Sequence, residues 1–299
     1  MNPKEETTKP KRIRRMIIFV IVILVSLVLE LELILYLIDP WGLKYFDDLA
    51  TIWQTVVVHP TRGFVLPPGE YKFSHWKATE LTNSIRLLPD NRNGSCQVIF
   101  FGDSVTWGHG VNDSETWVNL IAGQMPEINA VNAAFDGYNS ENVRRGIADF
   151  PDAKVIIYMI NGNDTERTYG YSNGWPYQPH LSMTEKYVRY FLVVKGQLPG
   201  DAAAPTLNEA GLGGETDPNV VRFRSDIEAM SRDKRVLLIG FDNQFDDLKK
   251  PFGILSIPFY KDRVSLVDAH PNPKGSREMA AAILPLVRHA VARRCPQAL

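Results

Sequence analysis

Cysteine is scarce in this chain of 299 residues: Cys96 and Cys295 are the only two. Two thiols so far apart exclude a cysteine-built metal site. Net charge is also nearly absent, at -1. Outside the N-terminus there is no basic stretch, so neither a polyanionic partner nor nucleic acid is implied. No internal repeat is visible. Wholesale disorder is excluded by 44% hydrophobic and 22% charged residues, proportions ordinary for a globular protein. The length suits one large domain or two small ones.

What is present is unevenly placed. Residues 16–38 are almost all Ile, Val, Leu and Phe. At ~1.5 Å per residue that run spans roughly the hydrocarbon core of a bilayer. Lys9, Lys11, Arg12, Arg14 and Arg15 precede it, whereas Asp39, Lys44, Asp47 and Asp48 follow. This asymmetry predicts a cytoplasmic tail over 1–15, a single-pass anchor over 16–38 in the cytoplasmic membrane, and an extracytoplasmic remainder. A cleaved signal peptide is the rival reading. It needs small residues before the cut, and residues 31–41 hold no Ala-x-Ala pattern and no lipid-attachment Cys. Glu30 and Glu32 interrupt the apolar run. They are either tolerated near the interface or mark a contact with another helix.

Residues 39–95 read as a connecting segment with Pro60, Pro67, Pro68 and Pro89. Within it, residues 63–66 and 70–73 alternate weakly and are expected to pair as short strands. From residue 96 the pattern changes to short apolar runs separated by helical spacing. Strands are predicted at 98–101, 128–134, 154–160, 235–241 and, most weakly, 264–267. Helices are predicted at 116–125, 139–150, 218–232 and 274–293. Such alternation implies a parallel sheet covered on both faces. An insertion at 165–217 holds Tyr169, Tyr171, Trp175 and Tyr177, a helix at 184–195 and an Ala-, Gly- and Pro-rich loop at 201–216. Its aromatic residues suit a packed lid or a sugar-stacking platform.

Four short segments follow predicted strands. In Gly102-Asp103-Ser104 the serine stands at a strand-to-helix turn, exposed at the carboxyl edge of the sheet. His270, in Asp268-Ala269-His270-Pro271-Asn272, stands directly before a helix. Histidine is the usual base for a serine nucleophile, and a carboxylate such as Asp268 orients it. Asn163 and Gly137 can donate a side-chain amide and a backbone N–H to an oxyanion. Each residue alone is more commonly a turn or surface position. A parallel sheet gathers all four at one edge.

The set resembles the SGNH (GDSL-type) hydrolase family, which takes its name from Ser, Gly, Asn and His in four ordered blocks. The matching positions are Ser104, Gly137, Asn163 and His270, and the resemblance covers about residues 97–293. It implies a three-layer α/β/α flavodoxin-like fold with a five-stranded parallel sheet. It further implies hydrolysis or transfer of acyl groups without a cofactor, with Ser104 as nucleophile and an oxyanion hole from Ser104, Gly137 and Asn163. Two positions depart from the family. Asn161 replaces the first Gly of Gly-x-Asn-Asp, a change that Asn's tolerance of left-handed angles would accommodate. The family acid stands three residues before the histidine, where this chain has Val267, whereas Asp268 stands two before. A backbone carbonyl or water orienting His270 is the alternative to Asp268.

In that fold Cys96 begins the first strand, and the last helix runs back from His270 to end near Cys295. A Cys96–Cys295 disulfide and two free thiols are both open. His109 reads as a loop histidine, with an approach to the site as the alternative. His59, His75, His180 and His289 read as surface or packing residues, and Asn83 and Arg86 as braces of the first strand. The expected activity is a membrane-anchored serine esterase acting on acyl, notably O-acetyl, esters of carbohydrate or lipid. An acyltransferase using the same residues is the alternative. A non-catalytic glycan-binding protein ranks lower, resting on the displaced Asp268.

Overall fold

A computed structural model describes residues 8–82, 84–165, 182–194, 217–265 and 268–297. In chain order the first part comprises helix α1 (Thr8–Ile38), α2 (Lys44–Thr55), and strands β1 (Val57–His59), β2 (Gly63–Val65), β3 (Gly69–Lys72) and β4 (Lys77–Glu80). The second part begins with β5 (Cys96–Phe101), α3 (Ser104–Trp107), α4 (Trp117–Gln124), β6 (Ile128–Asn132), α5 (Ser140–Gly146) and β7 (Val155–Ile160). It continues through α6 (Met183–Val194), α7 (Pro218–Ser231), β8 (Val236–Phe241), α8 (Asp246–Phe252), β9 (Leu255–Ile257) and α9 (Pro273–Arg294).

β5 to β9 form one parallel five-stranded sheet in the order β6-β5-β7-β8-β9. Its central strands read Cys-Gln-Val-Ile-Phe-Phe, Val-Ile-Ile-Tyr-Met-Ile and Val-Leu-Leu-Ile-Gly-Phe, nearly unbroken apolar runs. Such runs suit strands covered on both faces. Alternate residues of β5 divide between two cores. Val98 and Phe100 join Trp117, Ile121, Ile283 and Val287 under α4 and α9. Ile99 and Phe101 join Tyr158, Phe223 and Ile227 under α5 and α7. The period of two along a strand produces both layers from one sequence. The result is the three-layer α/β/α architecture expected.

The chain leaves β5 to build β6 on one side and later β7 on the other. The strand order therefore reverses at the carboxyl end of β5, where open α/β sheets form their crevice. Ser104 is three residues beyond Phe101 at that point.

Several expectations are corrected. The fifth strand is 255–257, not 264–267; Val264 and Ser265 lie in bends, and Leu266 and Val267 lie outside the described residues. Val264 is instead held by its N–H to the His270 carbonyl, 2.9 Å, in a turn serving the site. Segments 63–66 and 70–73 do not pair with each other. β2 pairs with β1 and β3 with β4, both antiparallel. Residues 39–95 are more than a connection. α2 was not anticipated; Asp39 caps its start by accepting the N–H groups of Leu43 (2.9 Å) and Lys44 (3.0 Å). Ile52, Leu66, Trp76 and Ala78 from this region pack with Trp107, Phe135 and Tyr138 in a third apolar cluster. The helix after β6 ends as α-helix at Gly146 and continues only as a 3-10 turn.

Within α1, residues 12–38 form a helix long and apolar enough to cross a membrane, with none of its apolar window buried against the rest of the chain. Cys96 and Cys295 are joined by a disulfide, Cα–Cα 5.9 Å, which ties the first strand of the sheet to the end of α9.

Candidate active site

The turn after β5 requires its glycine. Gly102 has φ +157°, and a Cβ there would lie 2.2 Å from Thr106 Oγ1. Asp103, fully buried, caps α3 by accepting the Val105 N–H at 3.0 Å. Its other oxygen accepts the Asn161 amide at 3.0 Å, linking the ends of β5 and β7. Burial pushes the Asp103 carboxyl above its ordinary range, against the pull of that amide hydrogen bond. Ser104 thus starts a braced four-residue helix at the sheet edge, 4% exposed.

His270 reaches the serine from the loop before α9. Its Nε2 lies 2.7 Å from Ser104 Oγ, and its Nδ1 lies 2.5 Å from Asp268 Oδ1. The Asp268 Oδ1 also accepts the His270 backbone N–H at 2.9 Å. This is an Asx-type turn, in which a carboxylate folds onto the residue two positions ahead. The turn explains how an acid two residues before the histidine reaches the imidazole. The loop is pinned further by Tyr260 Oη donating to the Ala269 carbonyl (2.7 Å) and by Asn272 capping α9.

Electrostatics match the geometry. Burial works to raise the Asp268 carboxyl, but the charge and hydrogen bonds of His270 outweigh it and hold Asp268 well below the carboxylate range. Burial works to lower His270, yet the facing Asp268 charge and hydrogen bond raise it to about 9. Because Asp268 is an acceptor only, Nδ1 carries the proton. A neutral imidazole then presents an Nε2 lone pair to the serine hydroxyl.

The candidate oxyanion donors lie on neighbouring turns. Gly137 has φ +75°, a left-handed conformation that favours glycine, in the turn before α5. Asn163 lies in a 3-10 turn, Gly162–Thr165, after β7, with its side-chain Oδ1 buried and without a hydrogen-bond partner. Asn161 does not use a left-handed conformation, since its φ is not positive. The asparagine is instead used for its amide, which holds Asp103, and for its oxygen, which accepts the Gly162 N–H at 2.9 Å.

His109 lies in the turn after α3 and takes the alternative role, an approach to the site. It is fully buried, with Nδ1 2.8 Å from Asp136 Oδ2 and Nε2 3.8 Å from Asp268 Oδ2. Nothing in the sequence singles out Asp136; it stands beside Gly137, but its contact with His109 spans 27 residues and leaves no local signal. His109, Asp268 and His270 offer three possible metal-ligand atoms within 4.8 Å of one another. The 2.5 Å Asp268–His270 contact already engages two of these groups with each other. Arg86 braces the loop after the serine rather than the first strand. Its guanidinium donates to the carbonyls of Trp107 (2.7 Å), Gly108 (2.5 Å) and Val111 (2.6 Å) and pairs with Asp113. His59 is bonded to the Thr61 and Arg62 N–H groups, His75 lies beside the Tyr45 ring, and His289 is exposed. Asn83, His180 and the aromatic residues Tyr169, Tyr171, Trp175 and Tyr177 lie outside the described residues, as does the loop 201–216.

Sheet, crevice and serine–histidine–aspartate chain together define an α/β hydrolase architecture of the SGNH kind. The sequence matches the GDSL-like lipase/acylhydrolase family over residues 100–278, more than half of the chain. The chain belongs to that family and is an esterase of the SGNH/GDSL type. It is also similar in structure to TesA, with TM-score 0.40 and 14% identity over 65% of this chain and 99% of that one. A putative arylesterase from Agrobacterium tumefaciens gives TM-score 0.37 at 14% identity, covering 65% and 99%. A carbohydrate acetylesterase family member from Sinorhizobium meliloti gives 0.36 at 13%, covering 66% and 99%. No curated protein matches the sequence.

Proposed function

We propose that this chain is a membrane-anchored, extracytoplasmic serine esterase that cleaves acyl esters, O-acetyl esters among them, of carbohydrate or lipid. The observation that carries the chemistry is the continuous contact from Ser104 Oγ through His270 to Asp268, at 2.7 Å and 2.5 Å. It also removes the support for a non-catalytic reading, which rested on a misplaced acid.

In this reading His270 accepts the hydroxyl proton as Ser104 Oγ attacks the ester carbonyl. The N–H groups of Ser104 and Gly137 and the Asn163 amide receive the oxyanion. Each such donor contributes about 2.7–4 kcal/mol to the transition state. The unpartnered Asn163 Oδ1 leaves its amide group uncommitted through that oxygen. The imidazolium, stabilised by Asp268, then protonates the leaving alcohol. Water, deprotonated by His270, releases the acyl group and restores the serine.

Placement outside the cytoplasm is supported by the basic residues before the apolar run 16–38 and by the Cys96–Cys295 disulfide, since such bonds persist in oxidising compartments. The deciding experiment sets wild type and Ser104→Ala against a panel of activated acyl esters and acetylated glycans. Loss of turnover with retained folding supports the assignment; a Ser104→Ala protein with full activity sinks it.

A further inference from the structure

Glu32 places a carboxylate within the apolar helix, and its partner is in this same chain. Its two oxygens accept the backbone N–H groups of Met183 (2.6 Å) and Thr184 (2.7 Å). These are the first N–H groups of α6, which no intrahelical carbonyl can satisfy. An acid at that end also faces the positive pole of the helix. The contact is therefore a cap supplied by one helix to another.

Further contacts fasten α6 to the residues that follow α1. Trp41 lies against the rings of Tyr187 and Tyr190, at 4.9 Å and 5.5 Å. Tyr187 Oη donates to Asp39 Oδ1 at 2.9 Å and accepts the Trp41 N–H at 3.1 Å. Lys186 pairs with Asp47. Met183 and Lys186 are consequently turned inward and buried. The face left outward carries Val188 and Phe191, 53% and 51% exposed. Three residues apart, they are neighbours on the helix surface.

Depth follows from helix geometry. Glu32 stands six residues before Ile38, the end of α1, which is about 9 Å along the axis. A bilayer that takes up α1 to Ile38 therefore reaches the level at which α6 begins. We infer that α6 is a second membrane element, lying beside α1 in the outer-leaflet interface with Val188 and Phe191 among the lipid chains. An interfacial helix with an apolar face and a polar face behaves in this way. Glu185 and Arg189, paired at 2.6 Å and about two-fifths exposed, form its polar border. The hydrolase domain is then held against the bilayer through its insertion rather than suspended from a single helix. This inference rests on the proposed anchoring by residues 12–38.

The test uses the full chain in phosphatidylcholine–phosphatidylglycerol vesicles, with nitroxide labels on Val188→Cys, Phe191→Cys, Val22→Cys and Glu228→Cys, one per protein. The native cysteines are bonded and take no label. Each label is relaxed separately by oxygen, which concentrates in lipid, and by a water-soluble nickel chelate. The expected oxygen-to-nickel ratio at positions 188 and 191 is severalfold above that at 228 and resembles that at 22. A lipid-like signal at 22 with water-like signals at 188 and 191 overturns the inference and leaves the anchor standing. A water-like signal at 22 removes the anchor, and the inference falls with it.

Discussion

The imidazole of His109 lies against that of His270, with ring centroids 4.4 Å apart and planes inclined by 33°. Its far nitrogen faces the oxygen of Asp268 that His270 does not use, and its near nitrogen is held by Asp136. Behind the serine there is thus a second histidine–aspartate pair packed on the first. Its role in positioning Asp268 is testable. His109→Phe is expected to lower kcat roughly 10- to 100-fold with little change in KM, since small displacements of catalytic groups carry costs of that order. Asp136→Asn is expected to move the acid limb of kcat/KM to lower pH, because the Asp136 charge is one of the groups that raise His270. A role confined to packing would leave that limb in place.

The wild-type pH dependence has a definite sign. In the proposed mechanism His270 acts as a base only when neutral, and Asp268 raises it from the ordinary 6.5 to about 9. Activity is expected to climb with pH and level off above about 9, falling about tenfold per unit well below it. A kcat/KM profile against a substrate stable in mild alkali checks this. A limb near 6.5 would show that the Asp268 charge is not felt by the imidazole.

Replacing Asp268 by Asn removes that charge and places an amide where an acceptor stood. The expected loss in kcat is on the order of 10⁴. The acid limb should move down with it, since the group that raises His270 has gone. Steady-state kinetics on a folded Asp268→Asn protein, verified by circular dichroism, decide whether this acid or a backbone carbonyl orients the histidine.

The Cys96–Cys295 bond closes a loop with a sequence separation of 199 and lies away from the serine, at the opposite edge of the sheet. Reduction, or Cys96→Ser with Cys295→Ser, is expected to lower stability by about 2–5 kcal/mol. Urea unfolding with and without reductant measures the effect. Activity under native conditions should persist, because both core layers and the site turns are formed by other contacts.

Arg86 is fully buried, paired with Asp113 and donating to three carbonyls of the loop after Ser104. Arg86→Ala would leave the Asp113 charge and those carbonyls without that partner. Breaking a buried pair from one side costs about 3–5 kcal/mol. A large fall in the urea midpoint is expected. A near-neutral result would mean that water replaces the guanidinium without loss.

Much of this arrangement was legible beforehand because it is local. β5, β7 and β8 are apolar runs of ordinary strand length, and a strand buried on both faces must be apolar throughout. Gly102-Asp103-Ser104 and Asp268-Ala269-His270 are contiguous, so their chemistry stands in the sequence. The fifth strand was not legible. Leu255–Ile257 is only three residues long, and two of these, Leu255 and Ser256, are exposed, giving little pattern to read. The pairing of β1 with β2 and of β3 with β4 depended on turns whose partners the weak alternation could not select.

By itself, the sequence determined the α/β class, the family blocks and an apolar run at 16–38, because strand burial, turn chemistry and membrane-length runs are written in neighbouring residues. Only the tertiary structure decided which groups stand behind the serine. The folding back of Asp268 onto His270, the burial of His109 between Asp136 and Asp268, and the capping of α6 by Glu32 are contacts set by loop geometry and packing. The last joins residues 151 positions apart or more, a separation over which local spacing carries no information.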